Sequence, residues 1–429
     1  MLDAIKKIVV LLFRGILPFV LLFFKTNSFA QQPVVKEEVL VQNFYALNHQ
    51  PLFWFSSDKN LRKATEWLTM IASADHLGIE ISKLQADQIC VALLSNNTLD
   101  NIFKEQRDRQ ITGWVLSFIK VLQEGNIKFD YDEVNVLRDS RYIDQLINAK
   151  PDETVSQIVA RLDCQDSDYL VMKKFLNDSI LIGKTDSLKF KKIVRAMNYK
   201  RYFAVNYPRE YIVANIPAAE AMYYRNDSLK LKMRAVVGMK SNPSPTIASF
   251  ITNIVTFPLW NVPHSISVKE ILPKVQKNVD YLEKNDYEVV DTKGNVIDGS
   301  GLIWKNYNRN NFPYLFRQAT GPGNSLGVLK FNLNSPFSIY LHSTNSQAAF
   351  AGDRRFLSHG CIRLEKAFEF AKELLPDKID IKALKSGKKN TESKTIKLPQ
   401  KIAVFIIYNP VTVVAGKVNF LTDVYGLIK

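Results

Sequence analysis

The first half of the chain carries hydrophobic residues at helical spacing. Between Leu61 and Ala74 apolar side chains recur every three or four positions, and Ile111–Gln123 and Thr154–Leu162 repeat this pattern. Such spacing places the apolar side chains on one face of an α-helix, and Gly and Pro are infrequent in these segments. We therefore predict a helical region over residues 31–200 that serves as a scaffold or interaction domain.

The second half has the pattern of β-strands. Tyr211–Ile216 is rich in β-branched residues and ends at a proline, and Ala221–Arg225 and Leu229–Val237 flank three turn residues, which predicts a hairpin. Apolar runs predict further strands at Gly327–Leu333, Phe337–His342, Ile402–Tyr408 and Val411–Val418. The fold class expected is α+β, with an all-α region followed by a β-rich domain over residues 201–429.

A polar segment interrupts these strands. Residues 268–285 are rich in Lys and have a helical pattern, and residues 291–301 are rich in turn residues. Helical material inserted between strands close to a site is typical of a lid, so we predict a mobile lid over residues 264–310. The basic segment Lys385–Thr391 is more typical of a solvated loop.

Composition and charge narrow the classes of partner. The 429 residues are 46% hydrophobic and 23% charged, which are ordinary values for a globular chain. Lys and Arg exceed Asp and Glu by 57 to 42, a formal net charge of +15. This excess suits a nucleic acid, a membrane surface or an acidic polymer such as cell-wall glycopeptide. Since no nucleic-acid-binding motif is present, we expect no nucleic-acid partner.

The N-terminus predicts export from the cytoplasm. Two lysines precede the apolar run Ile8–Phe24, and residues 28–30 form a small-x-small cleavage site. This order is typical of a secretory signal peptide over residues 1–30. The alternative is a membrane anchor, because a run of about 17 residues just reaches spanning length, although Arg14 and Pro18 interrupt it.

One cluster of residues has the types that nucleophilic catalysis requires. His342 and His359 both lie within about 20 residues of Cys361. A nucleophilic cysteine needs a base for its proton and donors for the oxyanion that forms when it attacks a carbonyl group. His342 is the candidate base, and Tyr340 projects from the same face of the predicted strand. Gly360 allows the backbone to approach a substrate, so that nearby amides can form an oxyanion hole.

The residues after Cys361 predict a helix that would activate the thiol. The apolar positions are Leu364, Ala367, Phe368, Ala371 and Leu374. They place Cys361 just ahead of a helix N-terminus, where the helix dipole lowers the pKa of a thiol. By contrast, Cys90 and Cys164 have no His beside them, and three cysteines cannot all pair in disulfides.

Two other interpretations of the cluster stay open. A cysteine is often a small buried hydrophobic residue with no chemical role. His342, His359 and Cys361 could also be three zinc ligands, although the spacing is not that of CxxC or HExxH sites and no carboxylate base is close in sequence. We expect no metal and no cofactor.

The segment from His342 to Arg363 resembles the signature of the L,D-transpeptidase family. That signature is a His followed, after a spacer, by Ser or Thr and then His-Gly-Cys; here 15 residues separate His342 from Ser358. Arg363 is similar to the corresponding residue in the large, scaffold-bearing subclass of Gram-negative cell envelopes. Other segments that resemble this subclass are Phe257–Pro263, Lys269–Pro273, Arg317–Gly327 and the pair Lys330-Phe331.

The resemblance implies a mostly-β catalytic domain over residues 201–429 with no cofactor. Cys361 would be the nucleophile and His342 the base, with His359, Gly360 and Tyr340 holding the oxyanion or orienting the site. The implied substrate contacts are Ser358, Arg363, Trp260 and Asn261. Larger relatives have a peptidoglycan-binding module between the scaffold and catalytic parts, and only about 40 residues, Leu162–Arg201, are available for it here.

The function implied is formation of 3→3 cross-links between peptidoglycan tetrapeptide stems in the periplasm, through a cysteine thioester and with release of D-Ala. The scaffold would be free to bind other envelope proteins. The same thioester could instead be hydrolysed or pass to a free D-amino acid or a protein lysine. The alternatives from other classes are a zinc-dependent envelope hydrolase and a non-catalytic cell-wall-binding protein.

Overall fold

The computed structural model describes residues 37–81, 87–89, 91–92, 101–134, 139–150, 152–181, 186–205 and 208–429. The predicted signal peptide or anchor and Cys90 lie outside these residues. Within the described ranges no helix is both long and apolar enough to cross a membrane.

The N-terminal region is built from helices. Their bounds are α1 Glu37–Asn48, α2 Asp58–Ala72, α3 Asn101–Glu124, α4 Asp139–Ile147, α5 Val155–Leu162, α6 Ser167–Leu181 and α7 Ser187–Val205. The three helices predicted from apolar spacing correspond to α2, α3 and α5 and are confirmed. Thr154 begins α5 with a capping box, in which its hydroxyl accepts the Gln157 N–H and the Gln157 side chain accepts the Thr154 N–H.

The C-terminal region is rich in strands. The strands, including one short strand from the helical region, are β1 Tyr131–Asp132, β2 Glu210–Asn215, β3 Glu220–Arg225, β4 Ser228–Gly238, β5 Ile247–Thr256, β6 Trp260–Asn261, β7 Tyr287–Val290, β8 Val296–Ile297, β9 Leu315–Gln318, β10 Leu329–Leu333, β11 Tyr340–His342, β12 Phe356–Ser358, β13 Ile362–Leu364, β14 Lys394–Ile407, β15 Val411–Val414 and β16 Lys417–Phe420. The α+β class, with a helical region before a β-rich one, is confirmed.

The main sheet closes on itself. Its strands follow the order β5-β10-β11-β13-β4-β3-β2-β14, and β14 also pairs with β5. Apolar residues from these strands and from the helix Ala367–Leu374 fill the core inside the sheet. Strand β1 pairs in parallel with β5, which attaches part of the helical region to the sheet.

Residues 260–318 form an insert between the paired strands β5 and β10. It contains α8 His264–Ile266, a π-helical turn Ser267–Ile271, α9 Leu272–Lys277, α10 Tyr281–Lys284 and a separate four-stranded sheet, β6-β9-β7-β8. Its own apolar core includes Val268, Trp304 and Phe316. The insert is therefore larger than the predicted lid 264–310, because strands β6 and β9 close it; its mobility stays a prediction.

The secondary structure differs from the predictions in three places. The strand β5 was missed, although it pairs with both β10 and β14 in the main sheet. The predicted strand Val411–Val418 is a hairpin, because Ala415 and Gly416 adopt positive φ angles of 48° and 72° and turn the chain between β15 and β16. The predicted helix 268–285 is broken at Asn278, whose extended backbone ends α9.

Two of the hydrophobic cores are shared between the helical region and the β-rich region. One joins Tyr199 and Tyr202 of α7 to Val213, Phe405 and Ile407 of the sheet. The other joins side chains of α6 and α7 to the hairpin β15–β16. The described residues accordingly fall in one compact unit, Val35–Lys429. The predicted boundary near residue 200 stays a prediction.

Candidate active site

The two parts of the predicted signature meet on neighbouring strands. Strands β11 and β13 pair in parallel, with Leu341 opposite Ile362 and His342 opposite Arg363. Leu341 and Ile362 are fully buried in the core inside the sheet. Because side chains alternate along a strand, His342 and Arg363 project from the other face. One residue earlier in the same register lie Tyr340 and Cys361.

The turn before Cys361 is held by its own polar groups. The Ser358 hydroxyl donates to the Cys361 carbonyl oxygen at 2.6 Å and accepts the Gly360 N–H at 3.1 Å. Gly360 has a φ of 115°, a conformation that side chains disfavour, and a Cβ there would lie 2.9 Å from the Cδ1 atom of Ile339. From outside the turn, Ser244 Oγ donates to the Gly360 carbonyl oxygen at 2.7 Å. Both hydrogen bonds of the Ser358 hydroxyl therefore lie within the turn. The predicted contact of Ser358 with substrate stays a prediction.

Cys361 carries a half-buried thiol in a positively charged setting. Its Sγ atom lies 3.6 Å from the Ser338 carbonyl oxygen, to which it donates. Burial raises the pKa of the thiol above its ordinary value. Hydrogen bonds from the backbone and side chain of Tyr340 and the charges of Lys330 and Arg363 oppose this rise without cancelling it. The resting thiol is therefore protonated at neutral pH.

The predicted activation of Cys361 by a helix dipole is wrong. Cys361 is followed by strand β13, and helix α11, Ala367–Leu374, begins six residues after the thiol. The apolar positions from Ala367 onward do form that helix. The error arose at Leu364, which fits the helical spacing but is buried as part of the strand. Since the dipole effect fades within the first turn of a helix, it does not reach the thiol.

His342 is buried and uncharged. Only 3% of its surface is exposed, and its Nδ1 atom has no hydrogen-bond partner among the described residues. Burial lowers the pKa of His342 to about 3, and the nearby charges of Arg363 and Lys330 add to this effect; backbone groups of Ser343 and Leu326 oppose it only in part. A neutral imidazole with an unpaired ring nitrogen can accept a proton.

Tyr340 connects the thiol to the insert. Its ring lies 5.7 Å from the His342 ring, between centroids, and its hydroxyl lies close to Cys361 and Trp260. Burial raises the pKa of the Tyr340 hydroxyl, and the charge of Cys361 adds to the rise, so that the hydroxyl stays protonated and can donate. Trp260 thus lies close to Tyr340, and its predicted contact with substrate stays a prediction. Asn261, the next residue of β6, is exposed and pairs with Arg317 of β9.

His359 also connects the site to the insert. Its Nε2 atom lies 2.5 Å from Oε1 of Glu270, which belongs to the π-helical turn Ser267–Ile271. π-helical turns are rare and are found mostly at functional sites. Sequence reasoning did not single out Glu270; the only signal was that it belongs to Lys269–Pro273, one of the segments that carried the family resemblance.

Two cations, Lys330 and Arg363, flank His342 in one row across three strands. Lys330 of β10 is opposite His342, which is opposite Arg363 of β13. The Lys330 Nζ atom lies 4.2 Å from the centroid of the Tyr340 ring, and burial lowers the pKa of Lys330. In the sequence, Lys330 stands out only as part of the pair Lys330-Phe331 that carries the family resemblance, because a lone Lys in an apolar strand gives no chemical signal.

No metal site is found at this cluster. Among the described residues, no group of three His, Cys, Asp or Glu side chains is arranged to hold a metal ion. The structure pairs His359 with Glu270, and Cys361 contacts Tyr340. The zinc alternative thus gains no support from the arrangement of the side chains.

Comparison with known proteins shows what the β-rich region is similar to. Residues 209–381 match the YkuD family, described as the L,D-transpeptidase catalytic domain. A Haemophilus influenzae protein named "Putative L,D-transpeptidase" is 34% identical over 236 residues, which cover 54% of this chain and 47% of that protein. The chain therefore matches about half the length of this relative.

Two solved structures are also similar. They are a cysteine-to-serine mutant of the Enterococcus faecium L,D-transpeptidase and an avibactam carbamoyl enzyme. Each is 11% identical to this chain, with a TM-score of 0.21, and the alignment covers 47% of this chain. It covers 51% of the first structure's chain and 50% of the second. These likenesses are too distant to carry an argument. The match over residues 209–381 agrees with the motif and the strands that carry it, and this region is similar to the L,D-transpeptidase catalytic domain.

Proposed function

We propose that the chain is a peptidoglycan L,D-transpeptidase that acts through a thioester on Cys361 and makes 3→3 cross-links in the periplasm. The observation that carries the proposal is the placement of Cys361 and His342 on paired strands, with Tyr340 in contact with the thiol. The similarity of residues 209–381 to the L,D-transpeptidase catalytic domain supports the same reaction class. The substrate would be a tetrapeptide stem that ends in D-Ala.

The chemistry follows from the protonation states of the resting site. Cys361 is a protonated thiol and His342 a neutral base, so proton transfer must accompany attack rather than precede it. As sulfur bonds to the carbonyl carbon, the thiol proton passes to His342. The imidazolium that results is a strong acid in its buried position and can protonate the departing amine of D-Ala. The thioester then reacts with an amine of a second stem.

The oxyanion needs donors that are already in place. The sharp turn 358–361 is fixed by Ser358 and Ser244, and it presents backbone amides close to Cys361. The Tyr340 hydroxyl, which stays protonated, is a further donor beside the sulfur. Donors fixed before the reaction stabilise the developing charge without the cost of reorganisation.

Mass spectrometry of the purified protein with a disaccharide-tetrapeptide tests this function. We expect an adduct on Cys361 equal to the donor minus D-Ala, and a cross-linked dimer as product. Cys361→Ala should form neither, whereas Cys164→Ala, which alters a buried thiol in the helical region, should form both. His342→Ala should slow acylation by roughly two to four orders of magnitude, the usual share of general-base catalysis.

Other outcomes of the same experiment point to other functions. A released tripeptide stem without a dimer would indicate hydrolysis, and a D-amino acid or lysine adduct would identify a different acceptor. Hydrolysis that leaves no adduct on Cys361 and is abolished by a chelator would favour a zinc hydrolase. Export is tested separately by N-terminal sequencing of protein recovered from the periplasm, which should begin near Gln31.

A further inference from the structure

The row Lys330, His342 and Arg363 places two cations on either side of a base that must become positively charged. The three residues are cross-strand partners on β10, β11 and β13, and both cations interact electrostatically with His342 and with Cys361. An imidazolium between two cations is unfavourable. The resting site is thus arranged against the proton transfer that the reaction needs.

Neither cation has an anionic partner in the part of the chain that the structure describes. The Lys330 side chain has no ion pair or hydrogen bond there, and its Nζ atom lies 4.2 Å from the centroid of the Tyr340 ring. Arg363 is half-buried, and its Nε atom is fully buried without a hydrogen-bond partner. Burial lowers the pKa of both groups, which is the cost of holding a charge away from water without a counter-ion.

A carboxylate is the group that would satisfy both residues. The guanidinium of Arg presents donors in a fork that matches the two oxygens of a carboxylate, and Lys adds a point charge. A stem whose diamino acid is a dicarboxylic acid, and which ends in D-Ala, has two free carboxylates. One belongs to the D-Ala that leaves and so lies close to the sulfur in a reactive complex; the other is at the far end of the diamino acid side chain.

We propose that Lys330 and Arg363 bind a carboxylate of the donor stem, and that this negative charge allows His342 to take the proton of Cys361. The proposal rests on the proposed function and deepens it, because it makes a substrate charge part of the base catalysis. No additional reactant is required: the proton moves from sulfur to His342 and then to the departing amine. The carboxylate stays bound and is not consumed.

The experiment measures kcat/KM for acylation with three synthetic tetrapeptide donors. One has both carboxylates, one is amidated at the terminal D-Ala, and one is amidated at the diamino acid. We expect amidation of one position to lower kcat/KM about 10–100-fold, the range of a charge-assisted hydrogen bond, and the affected position identifies the carboxylate that is bound. Equal rates with all three donors on the unaltered protein would overturn the proposal.

The variant Lys330→Met links this effect to the proposed residue. With the donor that has both carboxylates, Lys330→Met should lose about as much kcat/KM as the unaltered protein loses when that donor is amidated. With the amidated donor, Lys330→Met and the unaltered protein should have nearly the same kcat/KM. Lys330→Arg, which keeps the charge, should recover most of the activity. An equal loss of Lys330→Met with acid and amide donors would mean that Lys330 acts only on the thiol, and would also overturn the proposal.

Two controls separate other causes. Lys401→Met removes an exposed lysine that lies over the Phe250 ring at 5.7 Å, a similar contact far along the chain, and should leave all three rates unchanged. If the unaltered protein forms no thioester with any donor, the proposed function itself fails. That result is distinct from thioester formation that does not depend on a carboxylate.

Discussion

At the scale of single residues, burial decides the chemistry of the site. It raises the pKa of Cys361 and lowers that of His342, so both partners are held in their neutral forms. A preformed thiolate-imidazolium pair, as in proteases whose cysteine pKa is strongly lowered, would need the opposite shifts. In the proposed mechanism the reactive state therefore arises when substrate enters, and the resting thiol reacts slowly with oxidants and alkylating agents.

The first prediction is that the Cys361 thiol of the resting protein ionises only above the ordinary range of a cysteine. The rate of alkylation by iodoacetamide, followed at Cys361 by peptide mass mapping, should be low at pH 7 and rise with a midpoint above the ordinary pKa of a cysteine. Removal of Cys164 in a Cys164→Ala background simplifies the map. A midpoint below pH 7 would show a stable thiolate and contradict the assignment of a protonated thiol.

The second prediction concerns acid stability. His342 has a pKa of about 3 when folded and about 6.5 when unfolded, so between these values the unfolded chain binds more protons. The free energy of unfolding is thus unaffected by this residue above pH 6.5 and falls as the pH drops toward 3, by an amount on the order of 5 kcal/mol at most. His342→Gln, which cannot titrate, should reduce this loss.

Thermal unfolding of the two proteins between pH 7.5 and 4.5 provides the measurement. The melting temperature of the parent should fall more steeply with acidity than that of His342→Gln. The exposed His49 has no comparable burial, so His49→Gln serves as a control with an unchanged slope. Parallel slopes for all three proteins would show that His342 is not held neutral by burial.

At the scale of elements, the sequence predicted the helices and hairpins that a local pattern determines. It missed the strands that are defined by pairing with distant parts of the chain. Helices α2, α3 and α5 have a full apolar stripe, and the hairpin β3–β4 has turn residues at its centre, so both were visible. Strand β13 has three residues, and its identity comes from pairing with β11 and β4. Local spacing therefore extended the following helix back to Leu364 and produced the wrong dipole argument.

The same distinction holds for the site. Cys361, His342, His359 and Gly360 were identified because they lie in one short motif that resembles a known family. Glu270 lies 89 residues before His359 in the sequence, and Lys330 lies 12 residues before His342. Only the folded chain brings each of them next to its histidine. The size of the insert was also underestimated, since β6 and β9 are short strands without a clear pattern of their own.

The third prediction is that the insert restrains the catalytic turn through Glu270. Glu270→Ala removes the carboxylate that contacts His359 and should increase hydrogen exchange at residues 358–361. Because both side chains are partly exposed, we expect only about a two- to fivefold loss in the rate of acylation, in line with other exposed ion pairs. Lys269→Ala, which changes the exposed neighbour, should affect neither quantity.

A double variant makes this test specific. If Glu270 acts by positioning His359, then Glu270→Ala should add little to the loss already caused by His359→Ala. Additive losses would mean that Glu270 acts elsewhere in the insert. Unchanged exchange at residues 358–361 would show that the turn is rigid without the insert.

At the scale of the whole molecule, the helical and β-rich regions are joined by common cores. Two of the hydrophobic cores contain residues of both regions, and β1 adds a strand from the helical region to the main sheet. The segment Leu162–Arg201, where relatives would carry a binding module, is occupied by α6 and most of α7, which supply these cores. The helical region thus supports the sheet that carries Cys361.

The last prediction is that the helical region and the main sheet unfold together. Phe405 of β14 is fully buried in the core that α7 completes, and Phe316 of β9 is fully buried in the core of the insert alone. Each Phe→Ala change should cost about 3–5 kcal/mol where it acts. Phe405→Ala should therefore lower the melting temperature of the helical circular-dichroism signal at about 222 nm, because the helices share its core. Phe316→Ala should move that signal much less while it increases hydrogen exchange in the insert. A helical signal that melts at the parent temperature in Phe405→Ala would instead establish two independent domains with a boundary near residue 200.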